Sequence, residues 1–185
     1  MRAAGQATRE RILTAAKAEF AEFGIAGARI NRIAAAAHAS KDRLYAYFPG
    51  KNELYAAVTE RWTSETSNEA AMSADDLPAY AGRLFDHFLA HPDNARLQAW
   101  AELEPSGEIP QVLRRTIDTK IAELRRGQRE GLITTDIPAP IMLRMLTDLA
   151  RTSATHTMTG SSDAGRTAAQ RAATVSAVAR MVAPA

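Results

Sequence analysis

The stretch INRIAAAAHASKDRLYAYFPGK, residues 30–51, decides how the chain is read. Ile30, Ile33, Ala34 and Ala37 share one face of a short helix predicted over Arg29 to Ala37. His38-Ala39 interrupts it, and Ser40 is placed to cap a second short helix running through Leu44 and Tyr45. Phe48-Pro49-Gly50 then breaks the chain before Lys51 opens the next helix. Two short helices around a tight turn, the second serine-capped and followed by aromatics, form a helix-turn-helix signature. Ala34 and Ala37 are small where the helices must cross closely. The first side chains of the second helix, Lys41, Asp42 and Arg43, project where a major groove would lie.

Working outward, Thr8 to Phe23 reads as an amphipathic helix with Ile12, Ala15, Ala16, Glu19, Phe20 and Phe23 at helical spacing, Thr8 as N-cap and Gly24 as the terminating glycine. Lys51 to about Arg61 is helical. TSETSNEAAMSADD, residues 63–76, is polar and reads as the frayed end of a connecting helix or as a hinge. Asp76 precedes a helix carrying Tyr80, Leu84, Phe85, Phe88 and Leu89, which His91-Pro92-Asp93 ends. Asn94 to Leu103 follows with Leu97 and Trp100 inward, then a turn from Glu104 to Pro110. A charged helix over residues 111–130 carries Leu113, Ile117, Ile121 and Leu124, and Gly131 ends it. Pro138 and Pro140 open a helix holding Ile141, Met142, Met145, Leu146 and Leu149. A loop, TGSSDAG, precedes an alanine-rich helix from Arg166 to Val182. About nine helices and no strand predict an all-α fold.

Composition agrees and excludes several chemistries. With 46% apolar and 24% charged residues the chain has a globular rather than a disordered mixture, and with aromatics at only 6% its many alanines favour close-packed helices. It has no cysteine, which removes disulfide scaffolds, zinc ribbons, thiol catalysis and iron–sulfur clusters. No stretch approaches the roughly 18 apolar residues of a membrane helix, so no membrane partner is expected. MRAAGQATRERIL turns charged early and lacks a signal-peptide core, which leads us to expect a cytoplasmic protein. Residues 1–62 hold ten Lys and Arg against six Asp and Glu, whereas residues 63–185 hold 13 against 15. One end of the chain is therefore suited to a polyanion and the other is not.

The residues just quoted closely resemble the TetR family of transcriptional regulators. The likeness is carried by Thr8-Arg9-Glu10-Arg11-Ile12-Leu13, Ala15-Ala16, Phe20, Gly24, Ile30, Ile33-Ala34, Ala37, Ser40, Leu44-Tyr45, Tyr47-Phe48-Pro49, Lys51 and Glu53-Leu54, without gaps over residues 8–54. It implies a three-helix helix-turn-helix DNA-binding domain over residues 1–54 with a connecting helix to about residue 72, and a helical ligand-binding and dimerisation domain over 73–185. It further implies a homodimer reading successive major grooves of a palindromic double-stranded operator, and a small-molecule effector that lowers DNA affinity. The chain departs from the family where glycine is usual at His38 and at Asp42, where a small residue is usual at Arg43, and where a Ser or Thr cap is usual at Ala28-Arg29.

Lys41 and Arg43 are the base-reading candidates, since either can donate to guanine O6 and N7; the alternative is general attraction to phosphate. Asp42 can accept from cytosine N4 but is better explained by the positive helix N-terminus it occupies. Tyr45 and Tyr47 resemble the family's groove and phosphate contacts, or pack beneath the reading helix. Ser40, Lys51, Arg29 and Asn31 complete the expected DNA-binding set, with Arg29 able to reach a phosphate. His87, Phe88, Trp100, Arg114, Asp118, Met142, Met145, Thr152 and His156 are the candidates for lining an effector pocket, against a plain core role. His87 and His91 lie four apart, a spacing that holds a metal on a helix, but the sequence places no third ligand, so no metal and no cofactor are expected. The small residues Ala168, Ala169, Ala172, Ala173, Ser176 and Ala179, with Val182, suit a dimer interface joined by Leu146, Leu149, Ala150 and Ser153. A helical enzyme using Asp86, His87 or Glu104 has no catalytic motif behind it. The remaining alternative is a helical protein-interaction module that has lost specific DNA reading, suggested by His38, Asp42 and Arg43.

Overall fold

The computed structural model of the chain describes residues 2–104, 110–159 and 164–184. Among the described residues there are nine α-helices and no strand: α1 (Arg2–Gly27), α2 (Ile30–Ala36), α3 (Lys41–Tyr47), α4 (Lys51–Glu69), α5 (Leu77–Ala90), α6 (Pro92–Leu103), α7 (Gln111–Arg129), α8 (Ala139–Thr159) and α9 (Ala164–Val182). A 3₁₀ turn, Ala74–Asp76, precedes α5, whose N-cap is Asp76, accepting from the Ala79 N–H at 3.1 Å. The predicted turn and loop at 105–109 and 160–163 lie outside the described residues.

Two boundaries differ most from the sequence expectation. Helix α1 starts at Arg2, so Thr8 is an interior residue whose hydroxyl donates to the Ala4 carbonyl at 3.0 Å and caps nothing. The alanine-rich run before it is itself a good helix former. Helix α4 continues past Arg61 to Glu69, because Thr63 and Thr66 are buried; a polar composition concealed an inward face.

The chain divides into two compact units, Met1–Trp62 with Asp93–Leu113, and Thr63–Pro92 with Arg114–Ala185. Helix α6 groups with the first unit, since Leu97 is fully buried in the core of α1 to α4.

In the first unit Ile12, Ala16 and Phe20 of α1 meet Ile33, Ala34 and Ala37 at α2 and Leu44 of α3. Phe20 stands edge-on to Tyr55, with ring centroids 5.2 Å apart. Helices α2 and α3 have seven residues each, too short to be stable alone, so this core holds them. Each fully buried large side chain contributes about 2 kcal/mol.

In the second unit α5 packs along α8 and α9, burying Tyr80, Leu84, Phe85 and Phe88 against an interior that includes Met142, Leu146 and Val178. Leu146, Ala150 and Ser153 are buried inside this unit, which corrects their assignment to a dimer interface; Leu149 is half-buried. The alanines and serine named on α9 are exposed, whereas Val182 is buried.

Candidate nucleic-acid interface

The turn between α2 and α3 takes the conformation that the motif requires. His38 has φ 50°, the left-handed region that favours glycine. The Ala39 N–H donates to the Ala34 carbonyl at 3.0 Å and the His38 N–H to the Ala35 carbonyl at 3.1 Å, so two otherwise orphaned carbonyls at the end of α2 are satisfied. Ser40 then caps α3, its hydroxyl accepting from the Arg43 N–H at 3.2 Å. Asp42 lies in the first turn of α3, where the helix dipole favours a negative charge.

Helix α2 has no side-chain cap of its own at Arg29. Glu19 supplies the acceptor from α1: its Oε1 takes the Arg29 N–H at 2.8 Å and the Arg32 Nε–H at 2.8 Å, with Arg32 Nη2 at 2.5 Å. Its hydrogen bond to Glu19 holds the Arg32 guanidinium above its ordinary pKa, and Arg32 stacks over Phe23 at 4.1 Å. Arg11 closes the other end of α2, donating from Nε to the Ala37 carbonyl at 3.2 Å. The break in α1 falls at Gly24, with φ 67°. A Cβ there would stand 2.8 Å from both Trp100 and Glu104 of the α6 segment. Glu104 accepts from the Ile25 and Ala26 N–H groups at 2.8 and 3.1 Å, and the Trp100 indole N–H donates to the Ala21 carbonyl at 3.2 Å. Arg11, Glu19 and Glu104 are positioning residues that sequence reasoning missed. Only Glu19 left a signal, as a carboxylate in an otherwise apolar stripe.

With the scaffold in place, the predicted DNA-binding residues fall into two groups. Arg29, Asn31, Ser40, Lys41, Asp42, Arg43 and Tyr45 are exposed. Among the described residues Arg29, Lys41 and Arg43 form no ion pair, whereas Arg32 and Arg61 are matched by carboxylates. Tyr47 and Lys51 are engaged within the unit. Tyr47 packs on the core with its hydroxyl at α1, 3.2 Å from where a Cβ on Gly5 would sit. Lys51 Nζ donates to the Ala26 and Ala28 carbonyls at 3.3 Å each, so it closes the end of α1.

The residues expected to line an effector pocket differ in burial. His87, Phe88 and Met142 are buried in the second unit. Arg114, Asp118, Thr152 and His156 are exposed, as is Met145 at 42% of its surface. His156 donates from Nδ1 to the Thr152 carbonyl of its own helix at 2.8 Å. Trp100 belongs to the first unit. The carboxylates of the enzyme alternative are committed elsewhere: Asp86 is bound through both oxygens by Arg171 Nε at 2.8 and 2.9 Å, and Glu104 is the cap just described.

A serine-capped helix that offers basic side chains from a three-helix scaffold defines a helix-turn-helix protein. Comparison with known proteins gives the family. Residues 12–58 match the family described as bacterial regulatory proteins, tetR family, and residues 76–180 match the tetracyclin repressor-like, C-terminal domain. The chain is 43% identical over 148 residues to the HTH-type transcriptional repressor SCO4008 of Streptomyces coelicolor, covering 78% of this chain and 77% of that protein. The Streptomyces coelicolor regulator SCO4942 has a solved structure that matches with a TM-score of 0.79 at 42% identity, covering 96% of this chain and 99% of that one. A TetR family transcription regulator from Marinobacter aquaeolei has the same fold, with a TM-score of 0.79 at 20% identity and full coverage of both chains. The chain belongs to the TetR family: it is a DNA-binding transcriptional regulator and not an enzyme. No helix among the described residues is long and apolar enough to cross a membrane.

Proposed function

We propose that the protein is a cytoplasmic, homodimeric repressor that binds a palindromic double-stranded operator through α3 and releases it when a small-molecule effector binds. The observation that carries this reading is the contrast among the basic side chains of the first unit. Arg11, Arg32 and Lys51 are consumed in holding helix ends, while Lys41 and Arg43 stand exposed and without ion pairs at the capped start of α3. Dimerisation is supported by the exposed small-residue face of α9 and by Ile141 and Met145, which expose 53% and 42% of their surface on α8. Met145, Thr152 and His156, all exposed on α8, are better assigned to that face than to a pocket. An effector within the second unit is supported by the Thr63 and Ser67 hydroxyls, buried without a hydrogen-bond partner among the described residues. An effector that favoured the non-binding conformation by about 3 kcal/mol would change operator occupancy about a hundredfold.

Selection of genomic DNA fragments by the purified full chain, under competitor DNA at moderate salt, tests the reading. One palindromic sequence should be enriched, bound by two chains. The double substitution Lys41→Ala, Arg43→Ala should weaken binding about a hundredfold, two contacts at about 1–3 kcal/mol each, with the unfolding midpoint unchanged. Recovery of random fragments only, or equal binding by the double variant, would refute it and favour the interaction module.

A further inference from the structure

Helix α4 ends at Glu69, and α5 carries His87 and is capped by His91. The sequence offered the two histidines at metal-binding spacing without a third donor; the fold brings Glu69 to them from 18 residues upstream of His87. Glu69 Oε2 lies 2.7 Å from His87 Nδ1 and 3.2 Å from His91 Nε2, and one donor atom from each of the three residues falls within 4.8 Å of the others. Neighbouring donors around a tetrahedral zinc ion with ~2.0 Å bonds are separated by about 3.3 Å, so the cluster is already near the required size.

We propose that Glu69, His87 and His91 form a binding site for a divalent transition-metal ion of the zinc class. Two imidazole nitrogens and one carboxylate oxygen are the donor set that such ions prefer over calcium or magnesium. The buried ring of His87 is also held from its far side: its Nε2 lies 3.0 Å from the Thr66 hydroxyl. That contact fixes the ring so that Nδ1 faces the site, the role an outer hydrogen-bond partner plays for a metal-bound histidine. As described, the Glu69 carboxylate can only accept, so Nδ1 carries the proton that bridges them; binding an ion at Nδ1 requires the ring to pass to its Nε2–H tautomer, with that N–H donating to the Thr66 hydroxyl. Glu69 and His91 expose 50% and 39% of their side chains, so an ion can enter without unfolding the core. Three protein donors leave a fourth position for water or a ligand atom. The inference stands on the second unit alone and does not depend on the operator reading.

The test is a titration of the chelator-treated, tag-free full chain with cobalt(II), read by visible d–d absorption, followed by displacement with zinc. One ion per chain is expected, with affinity lowered roughly tenfold or more by His91→Ala and by Glu69→Gln and unaffected by His156→Ala. His91 and Glu69 lie at the surface, so neither substitution threatens folding, and thermal melts of the metal-free variants should match the parent. Absence of stoichiometric binding would overturn the proposal. So would binding that survives either substitution unchanged, since the ion would then be held elsewhere.

Discussion

Helices α2 and α3 have seven residues each, whereas α5 and α8 have fourteen and twenty-one, and the two sets are held by different means. The short helices rely on charged side chains that reach across the sequence to their ends: Glu19 to the start of α2, Arg11 to its finish, and Lys51 to the carbonyls just before it. The long helices of the second unit rely on area, with Tyr80, Phe85 and Phe88 fully buried on α5. The same turn closes a helix in each unit. At α7 the Leu132 N–H donates to the Gly127 carbonyl with Gly131 at φ 70°, and at α2 His38 takes the glycine's place. A reading head must keep one face for DNA, so its short helices add directed bonds at their ends to the apolar core that holds them.

Substitutions can break or sharpen this contrast. The largest effect is expected for Phe85→Ala, which should cost about 3–5 kcal/mol in denaturant unfolding, because the cavity opens in the packed interior. Glu19→Ala should cost less, about 2–3 kcal/mol, since it removes a buried acceptor rather than volume. It should also weaken DNA binding by freeing α2, an effect Phe85→Ala lacks when both are measured at saturating stability. Equal losses from an apolar Glu19→Leu and from Glu19→Ala would support directed bonding; recovery in Glu19→Leu would argue for area alone. His38→Gly works in the opposite direction and should stabilise the chain by about 1 kcal/mol, the approximate relief of a left-handed backbone at a residue with a Cβ.

The smallest effect concerns the second unit's surface. Glu123 accepts from Arg126 and from the Ala74 N–H, and these bonds hold its carboxyl below the usual value of 4.5. Because the native pKa is the lower one, the stabilisation is complete above about pH 4.5 and is lost as the pH falls through the native value. Glu123→Gln should therefore flatten the acid limb of stability while changing the neutral midpoint only slightly, as urea midpoints at pH 6 and pH 3 would show.

The parts of the molecule legible in the sequence are those written locally. The turn at His38, the Ser40 cap and the inward Ile33, Ala34 and Leu44 all follow from a continuous run of residues. Glu104 could not be assigned to α1, because 79 residues separate it from Ile25 and nothing in its neighbourhood records that destination. Glu69 was missed as a partner of His87 for the same reason, compounded by a polar segment that hid a helix. The error at Leu146, Ala150 and Ser153 has another cause. A helix apolar or small on several faces does not say which face turns inward, and packing against α5 and α9 decided it.

The seating of Trp100 and Glu104 bears on how such regulators can be recombined. A chimera that carried residues 1–62 into another relative would bring the Gly24 break with it but leave behind the indole that fills the space beside that glycine and the carboxylate that closes the Ile25 and Ala26 amides. The transferable module is discontinuous, residues 1–62 together with 93–113, and a graft that respects the first stretch alone carries an incomplete reading head.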